Sequence, residues 1–207
     1  MYTLYTYPFS QHARRVVALL EAAGLEYRTI HIALDKGEQL SDSFRAINPD
    51  HAVPVLVDQE LVITESNAIL RWLCTRHALE TWYPNDPTLH AATEQWLEWC
   101  QTRLGPPVSD VVLNTVFLGE DGDMDAAARG HTTLEVLIPR LENRLAYRPW
   151  IAGTETPTIA DLALGATVTH LALANALPQT PAITAWLNRL MKIEAFAKAM
   201  PPLPAEA

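Results

Sequence analysis

Residues 1–34 read MYTLYTYPFSQHARRVVALLEAAGLEYRTIHIAL, and the reading of this stretch decides the fold. MYTLYT (1–6) has the texture of a strand. SQHARRVVALLEAAG (10–24) has helix spacing, with Val16, Val17, Leu19, Leu20 and Ala23 gathered on one face and Gly24 as a stop. LEYRTIHIAL (25–34) returns to strand alternation. The order strand, helix, strand predicts a βαβ start with a parallel pair, because parallel strands need a crossover connection. Between the first strand and the helix stand Pro8, Phe9 and a lone hydroxyl, Ser10, with no cysteine beside it and no phosphate-loop glycines around it.

Working outward, DKGEQLSDSFRAINPDHA (35–52) is looser, with room for one helix. VPVLV (53–57) and ELVIT (60–64) read as two strands of a hairpin joined through Asp58-Gln59, a two-residue loop without the usual glycine. ESNAILRWLCTRH (65–77) closes the unit as a helix. After His77 the texture changes. A connector carrying Pro84 and Pro87 leads into segments of helical period only, roughly 88–118, 125–146, 158–176, 182–191 and 193–200. The expected fold class is therefore an α/β N-terminal domain followed by an all-α C-terminal domain, divided as 1–78, a linker at 79–87, and 88–207. There is no internal repeat and no low-complexity tract.

Composition narrows the function. The 207 residues are 49% hydrophobic and carry a net charge of −9, so the chain lacks the clustered Lys and Arg of a nucleic-acid footprint. Its opening residues show no basic segment followed by an apolar core. The longest mostly apolar run (162–177) is too short for a membrane span and contains His170 and Asn175. Cys74 and Cys100 form neither a disulfide framework nor a C-x-x-C pair, and their apolar helical surroundings mark them as core residues. No metal spacing exists among the seven histidines. These features together describe a protein of the reducing cytoplasm.

Three groups carry candidate chemistry. Val53-Pro54 begins a strand, where a proline that cannot donate to a ladder belongs. A cis bond there would leave the Val53 backbone open to an extended peptide ligand, although an ordinary edge-strand proline is the simpler account of the dipeptide alone. Glu65 and Ser66 open a helix directly after a strand. Unpaired N–H groups and the positive dipole end suit a carboxylate, Ser66 adds a hydroxyl donor and Glu65 an acceptor for an ammonium group, so an α-amino-acid end would satisfy both. Capping by Thr64 and Ser66 is the simpler alternative. Ser10 starts the first helix and serves either as an N-cap or as a donor to an anion held at that helix end. No G-x-S-x-G elbow surrounds it, and His12 is too local to be a triad base.

These residues add up to a family. YPFSQHARRVVALLEAAGLEY, KGEQLSDSFRAINPDHAVPVLVDQELVITESNAILRWL and WIAGTETPTIADLALGA together resemble the cytosolic glutathione transferases. The S-Q-x-x-R arrangement from Ser10 to Arg14 is most similar to the theta-type serine members and their bacterial relatives. The resemblance implies a thioredoxin-like first domain, a helical second domain, a homodimer, and a detoxifying transferase with glutathione as co-substrate and no tightly bound cofactor. It implies that Pro54 is cis, that Val53 pairs its backbone with the cysteinyl unit, that Glu65 and Ser66 hold the γ-glutamyl end, and that Ser10 points at the sulfur. Gln39 lies where relatives often place a His against the glycyl end, and Ala52 where they usually have Lys or Gln. Tyr5 and Tyr7 rival Ser10, since other classes use a phenol, but counting back from Arg14 puts that phenol position on Pro8. A pocket for a small apolar electrophile is expected from Pro8, Phe9, Trp99, Leu104 and Phe117, although core or dimer packing is the simpler account of the helical aromatics, Trp96 among them. Glu94 is placed to reach the glutathione amine of a neighbouring subunit. Thr158 and Asp161 in TPTIADL form a capping box, a structural feature.

Magnitudes favour one serine as sufficient. A free thiol titrates near about 8.5, and lowering that by about two units needs roughly 2.7 kcal/mol. A hydrogen bond to a charged acceptor supplies about 1.5–3 kcal/mol and a helix N-terminus about 0.3–2 kcal/mol.

Overall fold

The computed structural model describes residues 1–201. Its first part is a four-stranded sheet in the order β2-β1-β3-β4. β1 (Tyr2–Thr6) pairs parallel with β2 (Tyr27–His31) and antiparallel with β3 (Val55–Asp58), which pairs antiparallel with β4 (Leu61–Ile63). The crossover is α1 (Gln11–Ala22). It ends at Ala23, after which Gly24 takes φ +62°, a conformation open to a residue without Cβ. Strand alternation splits the sheet into two faces. Leu4 and Leu56 enter the large core with Val16, Leu19, Leu20, Ile69 and Leu70, whereas Tyr7, Val53 and Val55 join Ile32 and Phe44 on the other side.

The hairpin turns one residue later than expected. Asp58 pairs with Leu61, so Gln59-Glu60 is the loop, and Gln59 itself takes φ +55°. The loose stretch holds one short helix, α2 (Asp42–Arg45), and α3 (Ser66–Arg76) follows the hairpin.

From Pro87 onward every element among the described residues is helical. α4 (Pro87–Trp99) and α5 (Gly105–Val112) belong to one long run that continues to Phe117 through two π-turns, Cys100–Leu104 and Leu113–Phe117. The first π-turn has a sequence cause: Pro106 and Pro107 lack the N–H groups that an unbroken α-helix would supply, and the Gly105 N–H reaches back to Cys100 instead. α6 (Met124–Ala146), α7 (Ile159–His170), α8 (Pro181–Met191) and α9 (Glu194–Ala199) complete the fold. The expected helical runs match these elements closely, and the last six residues of the expected second domain lie outside the described ones. α7 is buried on nearly all sides. A Cβ at Gly165 would stand 2.7 Å from Leu190 Cδ1 and 2.9 Å from Phe196 Cζ, so glycine lets α8 and α9 close on it. The Asp161 carboxylate accepts from the Thr158 N–H (2.9 Å), the Ile151 N–H (2.9 Å) and Trp186 Nε1 (3.0 Å), which fixes the start of α7 as the capping motif predicts. Cys74 and Cys100 are both buried. Among the described residues, no helix is long and apolar enough to cross a membrane.

Candidate active site

The register brings the three candidate groups to one end of the sheet. Tyr5 pairs with Val55, so Val53-Pro54, just ahead of β3, lies beside the end of β1 that leads to Ser10. Ile63 pairs with Leu56, so the exit of β4 towards Glu65 and Ser66 falls at that same end. α1 and α3 therefore both start there, each presenting its positive terminus. The Val53-Pro54 bond is cis, and among the described residues no loop or turn hydrogen bond uses the Val53 backbone.

Ser10 sits at the end of a tight turn with Pro8 at its second position, closed by the Ser10 N–H donating to Tyr7 O at 2.9 Å. It is the N-cap of α1: its Oγ accepts from the Ala13 N–H at 3.2 Å. Capping occupies only the acceptor side of the hydroxyl and leaves its proton available to donate. The two readings of this serine thus coexist in one geometry.

α3 starts differently from the capping alternative. Its N-cap is Glu65, with no side-chain capping bond, so neither Thr64 nor Ser66 caps it. Glu65 adopts φ +63°, ψ 109°, a costly conformation for a side chain with Cβ. Ser66 is buried and Glu65 is exposed. Asn67, next in line, is tied to the first helix: Arg15 donates to Asn67 Oδ1 at 3.0 Å and to Thr167 Oγ1 at 2.8 Å.

Other candidates stand elsewhere or are otherwise engaged. Gln39 turns its amide back on its own loop, with Nε2 3.4 Å from Leu34 O. Ala52 is exposed. Tyr7 is buried against Val53 and Phe44, and burial, followed by Asp35, holds its phenol above the usual range. Tyr5 lies on that same face, tilted against Phe44 at 6.0 Å. Phe9 and Phe117 do come together, edge to face at 6.3 Å, with Phe117 still 42% exposed and Pro8 exposed beside them. Trp99 and Leu104 require a correction. Leu104 has no exposed surface and Trp99 only 5%, since Trp99 packs edge-on to Trp96 at 5.2 Å under Arg140, so both belong to the core and line no open pocket. Glu94 is engaged within this chain: Arg71 takes both its oxygens (2.8 and 2.7 Å) and Tyr83 donates to it at 2.8 Å. Burial pushes this carboxyl up, but the Arg71 and Tyr83 hydrogen bonds outweigh it and hold Glu94 below the usual range.

Sequence reasoning missed Asn48. It is buried, its Nδ2 donates to Ala52 O at 2.8 Å, and its Oδ1 accepts from the Asp50 N–H at 3.1 Å, which shapes the loop that delivers Val53. The Asn-Pro dipeptide was the signal available for it.

A four-stranded thioredoxin-like sheet joined to a helical bundle is the class of fold these elements define. Residues 1–75 match the family model for the glutathione S-transferase N-terminal domain and residues 124–189 that for the C-terminal domain. The chain is 30% identical over 200 residues to glutathione S-transferase theta-2 of Rattus norvegicus, covering 93% of this chain and 80% of that one. It is 35% identical over 168 residues to glutathione S-transferase T2 of Arabidopsis thaliana, 78% of this chain but only 28% of the longer relative. Among solved structures, the theta class glutathione S-transferase from the citrus canker pathogen Xanthomonas axonopodis pv. citri, with glutathione bound, superposes with a TM-score of 0.87 at 28% identity, over 98% of this chain and 99% of that one. The chain belongs to the glutathione S-transferase family.

Proposed function

We propose that this chain is a glutathione transferase that ionises the glutathione thiol and adds it to small apolar electrophiles. The observation that carries the reading is the convergence of Ser10, Val53-Pro54 and Glu65-Ser66 at the end of the sheet where two helices start. Glutathione lies extended along that end. The Val53 backbone pairs with its cysteinyl unit, while the α3 N-terminus and Ser66 take the γ-glutamyl carboxylate and Glu65 the ammonium group. Gln39 would have to release its amide from Leu34 O to meet the glycyl end, and it brings no charge there. Ser10, its acceptor side engaged by the Ala13 N–H, donates a hydrogen bond to the thiolate sulfur and keeps its own proton. The thiol proton passes to solvent. The thiolate forms the new sulfur–carbon bond, and in a substitution the leaving group departs with its electron pair. The electrophile rests against Pro8, Phe9 and Phe117. The reading includes a domain division at 79–87, a homodimer and a cytoplasmic setting.

The test is a glutathione titration followed by the ultraviolet absorbance of the thiolate. Binding with a lowered thiol pKa is expected, followed by turnover of an aryl or benzyl halide. A second reading, a non-catalytic scaffold of the same fold, draws on Gln39 turned to Leu34 and on the exposed Ala52. Absence of glutathione binding selects it.

A further inference from the structure

α5 and the π-turn after it form a wall beside the segment that carries Ser10. Phe117, at the end of that run, meets Phe9 edge to face at 6.3 Å. About two turns earlier, Ser109 meets Gln11, the residue after Ser10: Gln11 Nε2 donates to Ser109 Oγ at 3.1 Å. Leu113 lies in the same row of the helix surface, one turn from each, and is exposed. The cleft along this wall is therefore apolar at Phe9, Leu113 and Phe117 and polar at Gln11 and Ser109.

Ser109 is the unusual hydroxyl of the run. Thr102 and Thr115, on either side of it, return their protons to carbonyls one turn back, Glu98 O and Val111 O, each at 2.7 Å. Ser109 does not. Among the described residues its one hydrogen bond comes from Gln11, which engages the acceptor side of the hydroxyl and leaves its proton unspent. Ser10 has the same arrangement, with the Ala13 N–H in place of the amide. Gln11 itself is 3% exposed, and its Oε1 has no partner. In either orientation of that amide the pair makes one internal bond and has donor protons left over. Unspent donors in a largely apolar cleft call for an oxygen that takes them up.

We propose that Ser109 is a specificity-determining residue, which donates a hydrogen bond to an electrophile oxygen where negative charge builds as sulfur adds. Small α,β-unsaturated carbonyl compounds are the substrate class this favours. The proposal rests on the transferase reading above. The thiolate forms its bond to the β-carbon, the π electrons shift through the conjugated system onto the carbonyl oxygen, and solvent then protonates the α-carbon. Ser109 keeps its own proton and supplies a fixed dipole where the charge appears. A benzyl halide places its charge on the departing halide and offers no oxygen to Ser109.

Steady-state rates of the full chain with benzylideneacetone and with benzyl chloride test it, alongside the absorbance of the glutathione thiolate. Ser109→Ala is expected to lower the ratio of the two kcat/KM values about 10- to 100-fold, the worth of a hydrogen bond to a charged acceptor, without moving the thiol pKa. Gln11→Met releases Ser109 to return its proton to the carbonyl one turn back, as its neighbours do, and lowers the ratio in the same direction. Equal losses with the two electrophiles, or a ratio that neither variant changes, would overturn the proposal and leave the transferase reading standing. A wild type that forms no thiolate would overturn both.

Discussion

The Arg15 guanidinium, fully buried in α1, donates to Asn67 Oδ1 at 3.0 Å and so joins the helix that starts at Ser10 to the helix that starts at Ser66. The same fork reaches Thr167 Oγ1 at 2.8 Å in α7, tying both helix starts to the helical part of the molecule. A lysine keeps the buried charge but has no fork to serve both partners. Arg15→Lys is therefore expected to lower the unfolding free energy by about 1.5–3 kcal/mol, the value of one hydrogen bond to a charged group. Urea denaturation measures this, and an unchanged midpoint and slope would mean that the two bonds add nothing net.

Removal of the Ser10 hydroxyl separates its two roles. Ser10→Ala loses the cap on Ala13, for about 1 kcal/mol of stability, and on the proposed mechanism loses the donor to sulfur as well. Turnover of 1-chloro-2,4-dinitrobenzene should fall about 10- to 100-fold. Ser10→Gly, which serves as a cap nearly as well but has no hydroxyl, should recover most of the stability and none of the rate. Equal rates in wild type and both variants would transfer the role to backbone N–H groups or to a tyrosine.

Glu65 holds φ +63° at the start of α3 without a capping bond to show for it. Such a conformation costs about 1–3 kcal/mol in a residue with Cβ and persists where function fixes it. Glu65→Gly relieves that strain, so thermal unfolding should move upward or stay level even though a helix-end side chain is lost. Retention on immobilised glutathione should fall in the same variant, and fall likewise in Ser66→Ala. A glycine variant that is both less stable and fully retained would remove Glu65 from the site.

How much of this was legible depended on whether the signal was local. The first helix announces both ends, with Ser10 before it and Gly24 after it, and the sheet follows from alternation around it. The hairpin was misplaced by one residue because Gln59, with no glycine to advertise the position, adopts φ +55°. Glu65 hid its backbone in the same way. Trp99 and Leu104 lie on helices whose period reveals a face but not what packs on it, and the packing turned out to be core. Arg14 and Arg15 were the least legible, since arginine is among the residues least often buried without a partner, and it is the docking of α3, α7 and α9 on α1 that encloses them.

That enclosure also sets a pH dependence through His170. Burial, and then Arg14, lower its pKa to about 3, whereas in the unfolded chain it titrates near about 6.5. Above about pH 6.5 the ring is neutral in both states and adds no slope. Below it the unfolded chain takes up a proton that the folded protein refuses, so stability falls by up to about 1.4 kcal/mol per pH unit until the folded ring itself titrates near pH 3. Between pH 6.5 and pH 5 the loss from this one group is about 2 kcal/mol. His170→Gln carries no such proton; His12, which burial, then Arg15 and then His170 lower to about 3, is common to both proteins and loses only its smaller contribution from His170. Urea midpoints measured across that interval should therefore converge, with wild type losing more on acidification than the variant. Parallel curves would mean that His170 accepts its proton in the folded protein as readily as in the open chain, and that the Arg14–His170 contact opens in solution.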